Sequence, residues 1–346
     1  MSWKYNQFGT NNKNSHNYNI NTLNPTKLHE LKGMTDTISD ISWFKQFVSC
    51  SSWDGCVYLW QTVRNKKILK SKKSFKRNYE IPIISCLLLN NILISGSITG
   101  IITAVDVEKN RDMKIGIHKQ QNGNEGNSIT CLKHIPERNL IASSSWNRKC
   151  CFWDTKTQKC SLSIPFPERI YDFDIFKNVM VVLCAGIENQ QVFIFDLRNP
   201  KQPLKVESTG LNTMSRTISI SPSKRYYAIG SIGGRVSIKP LIQKFKPFVF
   251  KCSFEGKNNA FPVNDICFNS TNLMGTVGSN GRYQIWNVDN KEAIFRFKKR
   301  ISCSITKGVF NNDGNIYALG VSYDVSRGIN SCLYKNKTHQ RILLHV

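Results

Sequence analysis

The sequence is short of acidic residues, glycine, proline and long apolar runs. Only 23 Asp and Glu stand against 48 Lys and Arg, which gives a formal net charge of +25 over 346 residues. Glycine (21) and proline (11) are too scarce for a collagen-like chain. No apolar run approaches the roughly 18 residues that a membrane-spanning helix needs, so we expect no membrane insertion. Hydrophobic residues make up 40% of the chain, which indicates a globular protein that buries a core.

Cysteine and histidine patterns argue against metal and catalytic chemistry. The 12 cysteines lie scattered through apolar runs without a Cys-x-x-Cys, so we interpret them as small core residues in a reducing compartment. We predict no metal site and no cofactor. His118, Ser144 and Trp153 are predicted to belong to a buried hydrogen-bond network, because a catalytic triad needs an exposed nucleophile. These patterns therefore predict no catalytic residue.

A unit of three short apolar strands recurs along the chain. In its clearest copy, Ile38–Trp60, the second strand ends in small residues and the third ends in an aromatic residue. The small residue recurs every 42 to 48 residues, at Ser51, Gly96, Ser144, Gly186, Gly230, Gly278 and Gly320. This period is typical of four-stranded blades whose inner strands crowd around a narrow channel. The sequence therefore predicts an all-β fold, a seven-bladed β-propeller.

We predict that strands from the two ends of the chain close the ring. A closed ring hides the sheet edges that an open stack exposes, and closure shares one blade between the two ends. We expect Lys27–Leu31 to form the outer strand of the last blade, beside Arg341–His345. The predicted domains are a flexible, Asn-rich tail over residues 1–26 and the propeller over residues 27–346.

The densest run of positive charge lies between the first two repeats. Residues 64–77 contain eight basic side chains and no acidic one, and we expect them to form an exposed outer strand and loop. Such a patch attracts nucleic-acid phosphates without sequence preference. The predicted RNA-binding residues are Lys66, Lys67, Lys70, Lys72, Lys73, Lys76 and Arg77. The alternative is that part of the charge reflects a composition heavy in Asn, Lys and Ile.

Several strings, in order along the chain, resemble one family of propellers. From Asp36 onward the chain is similar to the WD40 mRNA-export proteins of the nuclear pore. The strings that carry the similarity are Ser51-Ser-Trp-Asp-Gly55, Pro167-Glu-Arg-Ile-Tyr171, Tyr227-Ala-Ile-Gly-Ser-Ile-Gly-Gly-Arg235 and Ser322-Tyr-Asp-Val-Ser-Arg-Gly328. The segment Val192–Asn199 is more similar to a sister family, the mitotic-checkpoint propellers. Gly233 replaces a glutamate of the export family, and Val325 replaces a tryptophan.

The resemblance implies a scaffold that binds a peptide. Both families hold a short acidic and aromatic segment, the GLEBS motif, across one face of the propeller, and in the export family a nucleoporin supplies it. We predict that Trp53, Arg216 and Arg235 bind this peptide. The tryptophan would be an aromatic anchor, and the arginines would pair with glutamates through bidentate hydrogen bonds. The alternative is that Trp53 packs between blades and the arginines pair internally.

The implied function is a non-enzymatic adaptor in mRNA export that also contacts RNA or mRNP. The resemblance implies a monomer within a heteromeric complex, located in the nucleus and at the nuclear pore and envelope, and shuttling to the cytoplasm. One alternative is a spindle-checkpoint propeller that binds GLEBS segments of checkpoint kinases. Another is an enzyme that uses the central channel, which would need carboxylates or histidines that converge at the channel mouth.

Overall fold

Seven four-stranded antiparallel sheets surround a central channel. The structure is a computed structural model and describes residues 28–65, 68–118, 126–186, 189–242, 245–256, 258–297, 300–324 and 340–345. The first strand of each sheet contacts the first strands of both neighbouring sheets, and the seventh contacts the first. The described residues therefore form a closed, seven-bladed β-propeller, and the fold predicted from the repeat is confirmed.

The strands are numbered β1 to β30 along the chain, and the blades are numbered in the same direction. Blade 1 consists of β2 (Ile38–Phe44), β3 (Phe47–Ser52), β4 (Cys56–Asn65) and β5 (Ile68–Asn78). Blade 2 consists of β6 (Ile83–Leu89), β7 (Ile92–Ser97), β8 (Ile101–Asp106) and β9 (Arg111–Ile117). Blade 3 consists of β10 (Ile129–Ile135), a 3-10 turn (Pro136–Arg138), β11 (Leu140–Ser145), β12 (Lys149–Asp154) and β13 (Lys159–Pro165).

The second half of the ring repeats this pattern with one inserted hairpin. Blade 4 consists of β14 (Ile170–Phe176), β15 (Val179–Ala185), β16 (Gln190–Asp196) and β17 (Lys205–Ser208). Blade 5 consists of β18 (Ser215–Ile220), β19 (Tyr226–Ser231), β20 (Arg235–Pro240) and β21 (Phe248–Lys251), and a short hairpin follows as β22 (Phe254–Glu255) and β23 (Asn259–Ala260). Blade 6 consists of β24 (Val263–Phe268), β25 (Leu273–Gly278), β26 (Tyr283–Asn287) and β27 (Glu292–Arg296). Blade 7 consists of β28 (Ile305–Phe310), β29 (Tyr317–Val321), β30 (Arg341–His345) and β1 (Leu28–Lys32).

Blade 7 combines strands from both ends of the chain. β1 pairs antiparallel with β30, so that Leu28 lies opposite His345 and Lys32 lies opposite Arg341. This pairing occupies the outer edge of β30 with backbone hydrogen bonds and joins the two ends of the ring. The tail predicted over residues 1–26, and its boundary with the propeller, lie outside the described residues and stay a prediction.

Apolar residues from neighbouring blades form the core. Trp60, Trp153 and Trp286 lie on the third strands of their blades and are buried against the adjacent blade. Backbones approach closely near the channel, where a Cβ added to Gly96 would lie 2.5 Å from Ile129 of the next blade. This contact explains why a small residue ends the second strand of a blade.

A buried hydrogen-bond network in blade 3 differs from the predicted one by one residue. Trp153 Nε1 donates to Ser143 Oγ at 2.7 Å, and His118 Nε2 lies 2.7 Å from the same oxygen. The other ring nitrogen of His118 lies 3.3 Å from Asn147 Oδ1. The assignment of Ser144 to this network is wrong, because successive strand residues point to opposite faces and Ser144 bonds to Thr130 instead. The network is buried and structural, as expected.

His345 is buried between aromatic rings where blades 6 and 7 meet. Its ring centroid lies 5.5 Å from that of Tyr283 and 5.0 Å from that of Phe295. Neither ring nitrogen has a hydrogen-bond partner within the described ranges. Burial lowers the pKa of His345 from 6.5 to about 4. The neutral ring therefore contributes stability above pH 6.5, and this contribution is lost as the pH falls towards 4.

Replacing His345 with leucine should make unfolding less sensitive to acid. Between pH 7.5 and pH 5 the wild-type protein should lose about 2 kcal/mol of unfolding free energy through this histidine, and the variant should not. Urea unfolding at both pH values measures the difference, and comparison with wild type cancels the other titrating groups. His134→Leu is the control because its ring is only half-buried. Equal pH dependence in wild type and His345→Leu would contradict the assignment.

Candidate binding site at the mouth of the central channel

A β-bulge in the first strand of every blade directs one side chain to the mouth of the channel. In each blade the pairing of the first two strands shifts by one residue near the start of the first strand. The bulged residues are Ser39, Ile84, Thr130, Tyr171, Arg216, Asn264 and Thr306. All seven line one cavity of about 610 Å³. Because a bulge re-aims a side chain without breaking the sheet, the repeat brings seven different residues to one site.

Apolar side chains stand around this cavity at equivalent turns of four blades. Trp53, Ile98, Trp146 and Ile232 each follow a second strand and line the cavity. The backbone N–H of each donates to the carbonyl of a residue just before the first strand of its blade, at 2.9 to 3.1 Å. Blades 6 and 7 place Ser279 and Ser322 at the same hydrogen-bonded position. The rim is therefore apolar at blades 1, 2, 3 and 5 and polar at blades 6 and 7.

Three apolar side chains of the rim are exposed. Trp53 is 45% exposed, Ile232 is 43% exposed and Trp146 is 37% exposed. The Trp146 ring lies 6.2 Å from the Tyr171 ring. The guanidinium of Arg169 lies 6.0 Å from the Trp146 ring. Exposed aromatic residues gathered around a cavity are typical of a binding surface, whereas residues of a hydrophobic cluster are buried.

Arg216 is held at the polar side of the cavity by a short relay of hydrogen bonds. Arg216 Nη1 donates to Asn264 Oδ1 at 2.9 Å. The amide nitrogen of Asn264 donates to Asp324 Oδ2 at 2.9 Å and to the Ile305 carbonyl at 2.9 Å, which fixes the orientation of the amide. Ser304 donates to the other carboxylate oxygen of Asp324 at 2.9 Å. The guanidinium is thus positioned directly by a neutral amide, which Asp324 orients, and it stays exposed to the cavity.

Buried charges below the mouth join neighbouring blades. Asp40 accepts from Cys86 N, Asp172 from Ile218 N and Asp265 from Gly308 N, at 3.0 to 3.1 Å. Each bond links a first strand to the first strand of the next blade. Burial raises the pKa of Asp40 and of Asp172, and nearby lysines oppose this rise. These carboxylates are therefore structural groups that hold the ring together.

Lys307 is the cation at the centre of this set. Its Nζ lies 3.6 Å from Asp265 Oδ1 and 3.9 Å from Asp40 Oδ1. Burial alone would lower the pKa of Lys307, but the carboxylates of Asp265, Asp40 and Asp172 raise it above its usual value. The lysine therefore stays charged and neutralises several carboxylates at once.

The structure brings together two of the three residues predicted to bind a peptide. Trp53 and Arg216 line the same cavity. Arg235 does not line this cavity and lies at the start of β20, three residues after Ile232. Its guanidinium lies 5.9 Å from the Phe254 ring, and Lys251 Nζ lies 4.9 Å from the same ring. Arg235 therefore lies on the third strand of blade 5, further from the channel than Arg216 on the first strand.

Sequence reasoning overlooked three residues of the cavity, Trp146, Tyr171 and Ile232. A signal for Trp146 was present, because Ser-Ser-Trp occurs at Ser51–Trp53 and again at Ser144–Trp146. The two tryptophans occupy equivalent turns. Tyr171 carried no such signal, since only the pairing register shows that it is the bulged residue of blade 4.

The predicted basic run forms the outer strand of blade 1, where its side chains divide between two faces. Residue 74 is the extra residue of a bulge, so Lys73 lies opposite Trp60 and Lys76 lies opposite Tyr58. Both lysines are therefore on the face of the blade that packs towards blade 7. The strand partners of Lys70, Lys72 and Arg77 belong to the other face. Arg77 forms an ion pair with Asp112 of blade 2. Lys66 and Lys67 lie outside the described residues.

The part of the chain that the structure describes has neither a candidate metal site nor a membrane-spanning helix. Among the described residues, no group of three or more His, Cys, Asp or Glu side chains is arranged to hold a metal ion. In the same residues there is no helix with the length and apolar character needed to cross a membrane.

Comparison with known proteins agrees with the fold. The WD domain, G-beta repeat family matches residues 25–61 and 117–154. Protein Rae1 of Drosophila melanogaster is 29% identical over 300 residues, which is 82% of each chain. The Poly(A)+ RNA export protein of Schizosaccharomyces pombe is 24% identical and covers 90% of this chain and 87% of its own. The mitotic checkpoint protein bub-3 of Caenorhabditis elegans is 23% identical over 82% of each chain.

The seven blades, the bulged inner strands and the family match define a WD40-repeat β-propeller with a cavity at one end of its channel. Over 82 to 90% of its length, the chain is similar to relatives named as mRNA-export proteins and to a mitotic-checkpoint propeller.

Proposed function

We propose that this chain is a non-enzymatic adaptor in mRNA export that binds a GLEBS-type nucleoporin peptide at the mouth of its channel. The observation that carries the proposal is that Trp53 and Arg216 line one cavity, which pairs an aromatic rim with a positioned cation. An acidic and aromatic segment complements both features. Docking on a nucleoporin would place the protein in the nucleus, at the nuclear pore and envelope, and on a route to the cytoplasm.

Arg216 has the donors that a peptide carboxylate needs. A guanidinium carries five N–H donors, and the Nη1 donor to Asn264 is the side-chain hydrogen bond that Arg216 makes among the described residues. Arg216 forms no ion pair with a described acidic residue. A glutamate that enters the cavity can therefore form bidentate, charge-assisted hydrogen bonds with the free edge of the guanidinium.

The size of the cavity favours a few side chains of an extended segment over a folded domain. About 610 Å³ is the volume of a typical small-ligand site and accommodates a small group of anchoring residues. Trp53 and Ile232 on the rim can pack against aromatic residues of the peptide, and Arg216 can hold its acid. Arg235 would contact the segment where it leaves the cavity across blade 5, beside Phe254.

An enzyme is the weaker interpretation of the same cavity. Asp36, Asp172 and Asp324 line it, so carboxylates are present at the mouth. Asp172 accepts from a backbone amide and from Thr217, whereas Asp324 accepts from Ser304 and Asn264. A general acid or base must be able to reach a substrate proton, but the oxygens of Asp172 and Asp324 accept from donors of the protein itself, and Asp36 has no second carboxylate or histidine paired with it in the described residues. We therefore propose a binding role without catalysis.

Affinity purification with and without RNase tests the adaptor function. The wild-type protein should recover a nucleoporin in both arms, because the peptide contact needs no RNA. A variant with Trp53→Ala and Arg216→Glu should lose the nucleoporin in both arms. Recovery of mRNP proteins that disappears with RNase would assign them to RNA bridging. Absence of any nucleoporin from the wild-type sample would contradict the proposal.

A checkpoint propeller is the second candidate, and the similarity to bub-3 supports it. The cavity does not distinguish the two families, since both would bind an acidic segment. Recovery of checkpoint kinases without a nucleoporin in the same purification would select this candidate.

We propose in addition that the lysines of β5 contact RNA. Lys70, Lys72, Lys73 and Lys76 are exposed on the outer edge of blade 1, where phosphates can approach. Arg77 contributes less because Asp112 already neutralises it. Lys66 and Lys67 extend the same run in sequence. The contact is electrostatic and should weaken steeply with salt.

Reversing the charge of Lys70 and Lys72 should reduce RNA binding and its salt dependence. Loss of two phosphate contacts with a single strand should reduce the slope of log K against log salt by about 1.4. Fluorescence anisotropy with a labelled oligonucleotide at several salt concentrations measures both quantities. Lys109→Glu with Lys156→Glu is the control, because these exposed lysines lie on other blades and change the net charge equally. An identical slope for both double variants would argue against a localised site.

A further inference from the structure

Two cysteines and a histidine share a second cavity on the side of the propeller. The cavity has a volume of about 370 Å³ and lies between β9 of blade 2 and the outer strands β12 and β13 of blade 3. His118, Lys149, Cys151 and Cys160 line it. It lies among outer strands and shares no lining residue with the cavity at the channel mouth.

A bulge in β13 brings Cys160 to the same face as Cys151. Cys151 lies opposite Ser163, and Phe152 lies opposite residue 162, but Trp153 then pairs with Cys160 because residue 161 is extra. In a regular ladder Cys160 would pair with Asp154 and point to the other face. The bulge therefore creates the dithiol, and the sequence pattern does not show it.

The contacts of the two sulfur atoms give them different roles. Cys151 is nearly buried, and its Sγ lies 3.5 Å from Ser163 Oγ and 3.9 Å from His118 Nδ1. Cys160 is exposed. A hydrogen bond from the Cys151 thiol lowers the pKa of Cys160 to about 6, and the same contact raises the pKa of Cys151. The exposed sulfur of Cys160 therefore has the larger thiolate fraction of the two near neutral pH.

Cys160 differs in this respect from the other described cysteines. Cys50, Cys86 and Cys150 are buried, and burial raises the pKa of each thiol. Cys131 and Cys267 are half-buried, and their pKa values are raised by burial as well. The interpretation of the whole set as core residues is therefore wrong for Cys160, because β13 is an outer strand.

We propose that Cys160 and Cys151 form a peroxide-reactive dithiol, in which Cys160 is oxidised first and Cys151 then closes a disulfide. The exposed thiolate can meet a small hydroperoxide, which the cavity accommodates. The protonated thiol beside it is placed to resolve the oxidised sulfur.

The two steps balance with hydrogen peroxide as the oxidant. The Cys160 thiolate attacks one peroxide oxygen, the O–O bond breaks, and hydroxide leaves and takes a proton from solvent to become water. Cys160 is then a sulfenic acid. The Cys151 sulfur attacks the Cys160 sulfur, the S–O bond breaks, and the leaving hydroxide takes the Cys151 proton to form a second water. The two sulfurs lose two electrons, and the peroxide gains them.

Mass spectrometry of the full-length protein after exposure to peroxide tests the proposal. In wild type we expect a disulfide between Cys151 and Cys160. In Cys151→Ser, with dimedone as a trap for sulfenic acid, Cys160 should carry the adduct. Its labelling should be at least about tenfold faster than that of Cys131 or Cys267 in the same sample, because it follows thiolate content and exposure.

The complementary variant and a folding control complete the experiment. Cys160→Ser should leave Cys151 unmodified, since Cys151 is protonated and nearly buried. Circular dichroism should show both variants folded; if Cys151→Ser unfolds, dimedone is added to wild type during the exposure to peroxide, so that the adduct on Cys160 forms in competition with the disulfide. Labelling of Cys160 at the rate of the half-buried cysteines, or oxidation of wild type without the disulfide, would overturn the proposal.

Discussion

Replacing Lys307 with methionine should lower the free energy of unfolding by about 3 kcal/mol, because it leaves carboxylates without their cation in a partly buried site. Lys307 Nζ lies within 4 Å of both Asp265 and Asp40. Methionine keeps most of the side-chain volume, so the change removes charge more than packing. Those carboxylates also link blades through backbone amides, and their repulsion should loosen the ring. Equilibrium unfolding in urea measures the loss.

Two further variants separate this effect from a general loss of surface charge. Lys109→Met removes an exposed lysine whose Nζ lies 4.0 Å from Asp106, and it should change stability by less than about 0.5 kcal/mol. Adding Asp265→Asn to Lys307→Met should recover part of the loss, because one unpaired carboxylate disappears. Similar effects of Lys307→Met and Lys109→Met would show that the central charges do not stabilise the ring.

Trp53→Ala and Arg216→Glu should each weaken the binding of a GLEBS-type peptide by about 30-fold, the effect typical of an interface hot spot. Truncating Trp53 removes an aromatic surface that is already exposed on the rim, so the fold should tolerate it. Arg216→Glu places a negative charge where a peptide glutamate is expected. Isothermal titration calorimetry with a synthetic peptide measures both losses, and thermal unfolding confirms that the variants are folded.

Matched variants elsewhere on the surface distinguish a local site from a diffuse attraction. Leu204→Ala removes an exposed apolar side chain just before β17, outside the cavity. Arg198→Glu reverses an exposed arginine that pairs with Asp196. Both should leave the dissociation constant within about twofold of wild type. If Arg198→Glu weakened binding as much as Arg216→Glu, net charge rather than the cavity would be responsible.

The repeat made the architecture predictable. Small residues spaced by 42 to 48 positions predict seven blades, and strands β1 and β30 pair at the ends of the chain. Ser-Ser-Trp at residues 51–53 and the arginine that the resemblance implies at residue 216 both fall at the cavity. These features depend on local spacing, which sequence records directly.

Bulges account for most of what the sequence did not predict. Ser144 is an exception, because regular pairing of β11 with β12 already places its neighbour Ser143 on the face of Trp153 and His118. Alternation places Cys160 away from Cys151, and a bulge reverses this. Arg235 and Arg216 are separated because they lie at different distances from the channel, and a match between short sequence strings does not show those distances.

A double-mutant cycle between Arg216 and the peptide tests the central claim most directly. Wild type and Arg216→Gln are each titrated with an acidic and aromatic nucleoporin peptide and with the same peptide carrying glutamine for its central glutamate. The proposal predicts a coupling energy of at least about 1.5 kcal/mol, as for close charge pairs at interfaces. A coupling energy near zero, with tight binding in all four combinations, would contradict the assignment of the channel mouth as the site that reads the acidic residue.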